Sequence, residues 1–147
     1  MNMEKFTERS RGFVQAAQTI AIREENQRVM PEHLLKALMD DEQGFASNLI
    51  SRAGGDPAAV RQAVDQAVAK QPKVSGGQGQ VYIDPSMVRV LDEAEKLAKK
   101  AGDSFVPAER MLTALAVVNT NARDALSAGG VNAQALNAAI NDIRKRS

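Results

Sequence analysis

The stretch Val29-Met30-Pro31-Glu32-His33-Leu34-Leu35-Lys36-Ala37-Leu38 lies, 77 residues further on, over Val106-Pro107-Ala108-Glu109-Arg110-Met111-Leu112-Thr113-Ala114-Leu115. Each copy has a proline where a helix opens, then a glutamate in the first turn, then apolar residues on one helical face. The same register extends outward in both directions. Phe6 falls on Ile83, Phe13 on Val90, Val14 on Leu91, Ala17 on Ala94, Ile20 on Leu97 and Ala21 on Ala98. Leu49 still meets Leu126. Dropping one residue then pairs Gly54 with Gly130, Asp56 with Asn132, Val60 with Leu136 and Val64 with Ile140. A register held through most of each half marks an internal duplication, so one half predicts the other.

Each half reads as four helices. Thr7 can cap the first helix of repeat one, its hydroxyl accepting from a free N–H of the first turn. Asp84-Pro85 opens the first helix of repeat two with an acidic cap and a proline at the first helical position. Val88, Leu91, Ala94, Leu97, Ala98 and Ala101 follow at helical spacing, and Gly102 stops the run. The second helices open at Pro31 and Pro107. The third are short, around 45–53 and 122–128, and end at Gly54-Gly55 and Gly129-Gly130. The fourth start at Asp56-Pro57 and at Asn132, bearing Val60, Val64 and Val68, or Leu136, Ile140 and Ile143. The fold class is therefore all-α, with two pseudo-twofold related four-helix repeats and eight helices. Repeat one covers 4–70, a Gly-rich linker 71–84, and repeat two 85–145. Gly76, Gly77 and Gly79 make 71–80 a flexible connector by composition. Val81-Tyr82-Ile83 is too short to count as a strand. A groove is expected where the first helices of the two halves approach each other.

Composition excludes several function classes. The 147 residues contain no cysteine, which removes disulfides, thiolate chemistry and Cys-based zinc sites. The net charge is +1, without the basic excess of a non-specific nucleic-acid binder. Arg144-Lys145-Arg146 reads as cations complementing a helix C-terminus. Met1 to Phe6 lacks the apolar run of a signal peptide, and no stretch reaches the roughly 18 apolar residues of a membrane span. The expectation is a soluble, cytoplasmic protein with no nucleic-acid or membrane partner.

Catalytic motifs are missing as well. There is no GxxxxGK[ST], and Gly77-Gln78-Gly79 leads into extended Val81-Tyr82 rather than a helix. His33 is the only histidine, too few for a typical zinc site, and no GxSxG accompanies it. The expectation is a non-catalytic domain with no metal and no cofactor. Glu32 and Glu109 stand at equivalent places in the first turn of each second helix. They read either as favourable charge at a helix N-terminus, worth about 0.3–1 kcal/mol, or as paired carboxylates able to take a cationic group.

Phe6-Thr7-Glu8-Arg9, the Ala-rich first helix, Pro31-Glu32-His33-Leu34-Leu35-Lys36-Ala37-Leu38 and Gly102-Asp103-Ser104-Phe105-Val106 together resemble the Clp amino-terminal repeat domain. The resemblance spans residues 4 to 145. The Gly-rich connector with Val81-Tyr82-Ile83-Asp84-Pro85-Ser86 is most similar to the ClpB branch of AAA+ chaperones. It implies a mobile domain at the front of a ring-shaped, hexameric ATPase. Such a domain captures unfolded or aggregated polypeptide in an apolar groove and passes it to the pore. ATP and Mg would belong to AAA+ modules beyond residue 147, and the isolated domain would be a monomer without ATPase activity. By the same resemblance Thr7, Asp103 and Glu109 are polar substrate-handling positions, and Leu91 and Leu97 line the groove on the fifth helix. Glu93 and Arg110 stand where the family can carry leucine; they make the groove more polar or pair across its rim. A second implied function is docking of an adaptor protein or of a phospho-arginine tag, with Glu32 and Glu109 accepting from the guanidinium.

Overall fold

The computed structural model describes residues 3–75 and 80–146. A short 3-10 turn (Met3–Lys5) leads into α1 (Glu8–Arg23), α2 (Pro31–Met39), α3 (Phe45–Arg52) and α4 (Pro57–Ala69). The second half supplies α5 (Pro85–Lys100), α6 (Ala108–Val117), α7 (Asn121–Ala128) and α8 (Ala133–Arg146). The chain is all-α, with eight helices among the described residues.

The helix starts follow their caps. Thr7 Oγ1 accepts from the Ser10 N–H at 3.1 Å, Asp56 from Ala58 at 3.0 Å, and Asp84 from Ser86 at 2.9 Å. Each satisfies a donor that the first turn leaves open. α2 begins differently. Met30 offers no side-chain cap, and the His33 ring reaches back, its Nδ1 accepting from the Met30 N–H at 2.9 Å.

The two halves exchange places in their packing. α4 lies on α7 and α3 on α8; α1 lies on α6 and α2 on α5. Each pair becomes the other when repeats are swapped, the signature of a pseudo-twofold axis. The halves meet chiefly through these pairs, rather than by the approach of α1 to α5 that the duplication suggested.

The same exchange appears in strands too short for periodicity to show. β1 (Arg28–Val29) pairs in parallel with β2 (Tyr82–Ile83), with Val29 opposite Ile83. An isolated parallel bridge joins Phe6 to Val106. In the 77-residue register Phe6 is Ile83 and Val29 is Val106, so these are one interaction made twice. The Thr7 N–H donates to the Val106 carbonyl at 3.1 Å, and the Asp84 N–H to the Val29 carbonyl at 3.1 Å. Tyr82 and Ile83, assigned to the linker from sequence, thus do the work of Lys5 and Phe6. Earlier in the linker, the Val74 N–H donates to the Glu25 carbonyl at 2.8 Å and Lys73 bridges Asn26. The connector is pinned along residues 25–26 before its glycines. Gly76, Gly77 and Gly79 lie outside the described residues.

One apolar core runs through both halves. Phe6, Leu34, Leu35, Leu38, Ile50, Leu112, Leu115 and Leu126 are all buried, each contributing about 1.5–3 kcal/mol relative to exposure. Close contact of the α3–α4 and α7–α8 corners requires glycine. A Cβ on Gly129 would run into the Val60 side chain and lie 2.9 Å from the Asp56 carbonyl; one on Gly55 would meet Val131. The Asp56 N–H donates to the Gly129 carbonyl at 2.8 Å across this seam. Ile143, expected on the apolar stripe of α8, is 37% exposed, so that stripe ends at Ile140.

Candidate functional site

The turn between α5 and α6 gathers most of the residues singled out from sequence. Asp103 sits just past the glycine that ends α5, and its N–H donates to the Ala98 carbonyl at 2.8 Å. Its carboxylate accepts from Arg110 Nε at 3.2 Å and from the Arg144 guanidinium at 2.9 and 3.3 Å. Burial alone would raise the Asp103 carboxyl. The Arg144 and Arg110 hydrogen bonds together outweigh it and hold the group below the usual carboxylate range. Arg110 is 2% exposed, and its Nη1 donates to Asn137 Oδ1 at 3.0 Å. Glu109 joins the cluster from the first turn of α6, 3.9 Å from Arg144. Arg144, read from sequence as a cation at a helix end, lies in the last turn of α8 and also fastens that helix to this turn.

Register explains the origin of the cluster. Asp103 and Arg110 occupy the places of Asn26 and His33 in repeat one. There His33 Nε2 meets Asn26 Oδ1 at 2.8 Å, a neutral version of the same link. His33 Nδ1 accepts from Met30, so the ring proton is on Nε2 and is donated to Asn26. Burial lowers the His33 pKa to about 4, against a smaller upward pull from Glu24. Repeat one keeps a neutral pair where repeat two has an ion pair.

Two hollows flank the turn. The first, about 520 Å³, lies between α5, α6 and α8, and Leu97, Val117, Ala133, Lys100, Arg110 and Arg144 are among its walls. The second, about 440 Å³, lies on the other side, between α5 and the Ser104–Val106 stretch, with Lys5, Lys96 and Lys99 at its edge. Phe105 borders it with 57% of its surface exposed. Thr7 stands behind this corner: its N–H reaches Val106, and Ser10, which it caps, donates its hydroxyl to the same carbonyl at 2.8 Å. Thr7, Leu97, Asp103 and Glu109 therefore share one region. A roomier hollow of about 630 Å³ lies elsewhere, along α1 and α2. Over it the Arg9 guanidinium rests above Phe45 at 4.6 Å and pairs with Asp41 at 3.2 Å.

Three expectations are corrected. Leu91 is 1% exposed and belongs to the apolar core, so it lines no groove. Glu32 is also 1% exposed. Its Oε2 accepts from Asn121 at 3.2 Å and from Gln71, so it cannot pair with Glu109 at an open tag site. Arg110 does not reach Glu93 across a rim, for Asp103 and Asn137 hold it inside. Sequence reasoning missed Phe105, Arg144 and Asn137 as site residues. Phe105 stands at the register position of charged Arg28, and that mismatch was the available signal.

Among the described residues no group of three or more His, Cys, Asp or Glu side chains could hold a metal ion. None of the helices among the described residues is long and apolar enough to cross a membrane. The chain matches the family described as "Clp repeat (R) N-terminal domain" over residues 5–129. It is 55% identical over 146 residues to the chaperone protein ClpB of Agrobacterium fabrum, covering 99% of this chain and 17% of that protein. The ClpB chaperone of Rhodopseudomonas palustris is 54% identical with the same coverage. This chain thus spans 17% of the length of the curated relatives it matches. Among solved structures it resembles the Hsp104 N-terminal domain from Candida albicans, with a TM-score of 0.83 at 20% identity, over 95% of this chain and 91% of that one. A complex of the ClpV N-domain with a VipB peptide matches with a TM-score of 0.70 at 20% identity, over 91% and 83% of the two chains. Duplicated helices, the interlocked strands and these relatives agree: the chain, which is similar over its length to ClpB chaperones, belongs to the Clp repeat N-terminal domain family.

Proposed function

We propose that this domain binds unfolded or aggregated polypeptide and delivers it to the AAA+ ring of a cytoplasmic, hexameric ClpB-type chaperone for disaggregation. The domain itself turns over no substrate; ATP and Mg act in the ring. The observation that carries the reading is the presence of exposed Phe105 and half-buried Leu97 on opposite sides of a turn that Asp103 cross-links to Arg110 and Arg144. Apolar anchors beside mixed charge suit weak, sequence-tolerant contact with a disordered chain, which loses conformational entropy on binding. The ClpV N-domain solved with a VipB peptide supports the idea that this fold can hold a peptide segment. An open pair of carboxylates for a phospho-arginine tag finds no support, since Glu32 is buried.

The test is a residue-resolved NMR titration with an unfolded, unphosphorylated protein. Shifts centred on Thr7, Leu97, Asp103, Phe105 and Glu109 are expected. No shift at high concentration would sink direct capture and favour an adaptor as the true partner.

A further inference from the structure

The hollow between α5, α6 and α8 differs from its counterpart in repeat one in a way that bears on ligand chemistry. In repeat one the corresponding surface is crossed by ion pairs, Lys36 to Asp65 at 2.7 Å and Arg61 to Asp40 at 2.8 Å, and its Ile20, Arg23 and Asp40 border the roomier hollow along α1 and α2. In the duplicated register Asp40 becomes Val117 and Asp65 becomes Asn141, while Lys36 and Arg61 become Thr113 and Asn137. Repeat two has thus lost both acids and both bases that pair across the first copy. New cations take their place. Arg144 stands where repeat one has Val68, and Arg110 where it has His33, with Lys100 beside them in the place of Arg23. All three line the hollow, and no carboxylate does. Asp103 and Glu109 stand at one end and engage Arg144; Asp103 also engages Arg110. Lys100 is exposed and forms no ion pair among the described residues.

The hollow also has a direction. Val117 ends α6 and Ala133 begins α8, so the apolar end lies there. Asn137, Asn141 and Arg144 then follow along one face of α8 at helical spacing. A segment laid along this face meets apolar wall first, amide groups next and guanidinium last.

We infer that this hollow is a subsite for an acidic side chain flanked by aliphatic residues, within the polypeptide that the domain captures. The inference rests on the capture reading above. The aliphatic side chains lie on Leu97, Val117 and Ala133, and the carboxylate faces Lys100 and the Arg110–Arg144 pair. Asn137 and Asn141 can hydrogen-bond the intervening backbone.

The probe is a short, labelled synthetic peptide, amidated at its C-terminus, with leucines flanking two glutamates. Its twin carries glutamines. Anisotropy titrations at low salt should show the acidic peptide bound about fivefold to tenfold more tightly, roughly one decade in Kd at most. The preference should shrink at about 0.5 M salt, where surface charge is screened. The double variant Val117→Asp/Asn141→Asp restores the repeat-one acids and should abolish the preference; Lys100→Gln should reduce it. Val117 is 37% exposed and Asn141 is exposed, and melting curves check each variant's fold. If the double variant fails to fold, Lys100→Gln decides. Equal binding of both peptides by the native domain would leave capture standing and overturn the acid subsite. So would a preference that survives in the folded variants, or acid recognition that needs a free C-terminal carboxylate. Binding of neither peptide, beside NMR shifts elsewhere with unfolded protein, would remove this hollow from the binding surface. Absence of both signals would take the capture reading with it.

Discussion

His33 and Arg110 hold one position in two halves, and their different chemistry sets different pH responses. His33 is fully buried and neutral, with a pKa lowered to about 4 by burial. The unfolded chain therefore binds a proton that the folded chain refuses, at every pH between about 6.5 and 4. Stability from this residue is complete above the unfolded value and declines as pH falls through that window, by about 3 kcal/mol at most. Urea melts of the native domain and His33→Gln at pH 7 and 4.5 should differ in pH slope; parallel slopes would refute this. Asp103 behaves separately. Its pKa is depressed, so its contribution persists above the ordinary carboxylate value and is lost only at lower pH. Leu91 and Leu97 separate core from surface. Leu91→Ala should cost about 2–5 kcal/mol, whereas Leu97→Ala should cost less and weaken peptide binding, as paired melts and titrations would show. Sequence could not make that distinction: spacing says which residues share a helical face, not how far a neighbouring helix extends over it. The burial of Glu32 is hidden from sequence for a similar reason, since the Gln71 and Asn121 that hydrogen-bond it are distant in the chain.

Helix starts and stops were legible because a cap or a proline acts within a few residues. The strands were not, because β1 and β2 have two residues each and alternation needs more. Contacts between helix corners were hidden as well. Nothing local distinguishes Gly129 from any helix-ending glycine, yet the Val60 side chain and the Asp56 carbonyl leave no room for a Cβ. Gly129→Ala should therefore destabilise by about 1–3 kcal/mol, as overpacking does. A neutral result in urea melts would show that the seam can open without cost. The Asp103 carboxylate supplies both hydrogen bonds that tie Arg144 of α8 to the α5–α6 turn. Asp103→Asn keeps the shape but leaves Arg110 buried beside a weaker acceptor, at a cost of about 1–3 kcal/mol. Hydrogen exchange in α8 should rise more than in α4, its partner by register; a uniform rise would count against a local tether.

Fold class and duplication followed from one register, because a repeated pattern samples the same physics twice; the family followed from the resemblance of particular segments. What that register could not show is how the copies interlock. Phe6 pairs with Val106 and Val29 with Ile83, so each copy's opening strand completes the other's sheet. The molecule should unfold in a single transition, with fluorescence-free probes such as circular dichroism and NMR tracing coincident curves. Separate midpoints for the two halves would contradict the interlock. The arrangement also bears on synthesis. While the chain is leaving the ribosome, the first four helices exist before the residues that finish their pairing, and Val106 comes about a hundred positions after Phe6. Until then Phe6 lacks its bridge to Val106 and the α2–α4 surfaces that α5, α6 and α7 will cover face water. A nascent chain of this kind is itself briefly an unfolded polypeptide with exposed apolar surface, the same class of object that the finished domain is proposed to hold.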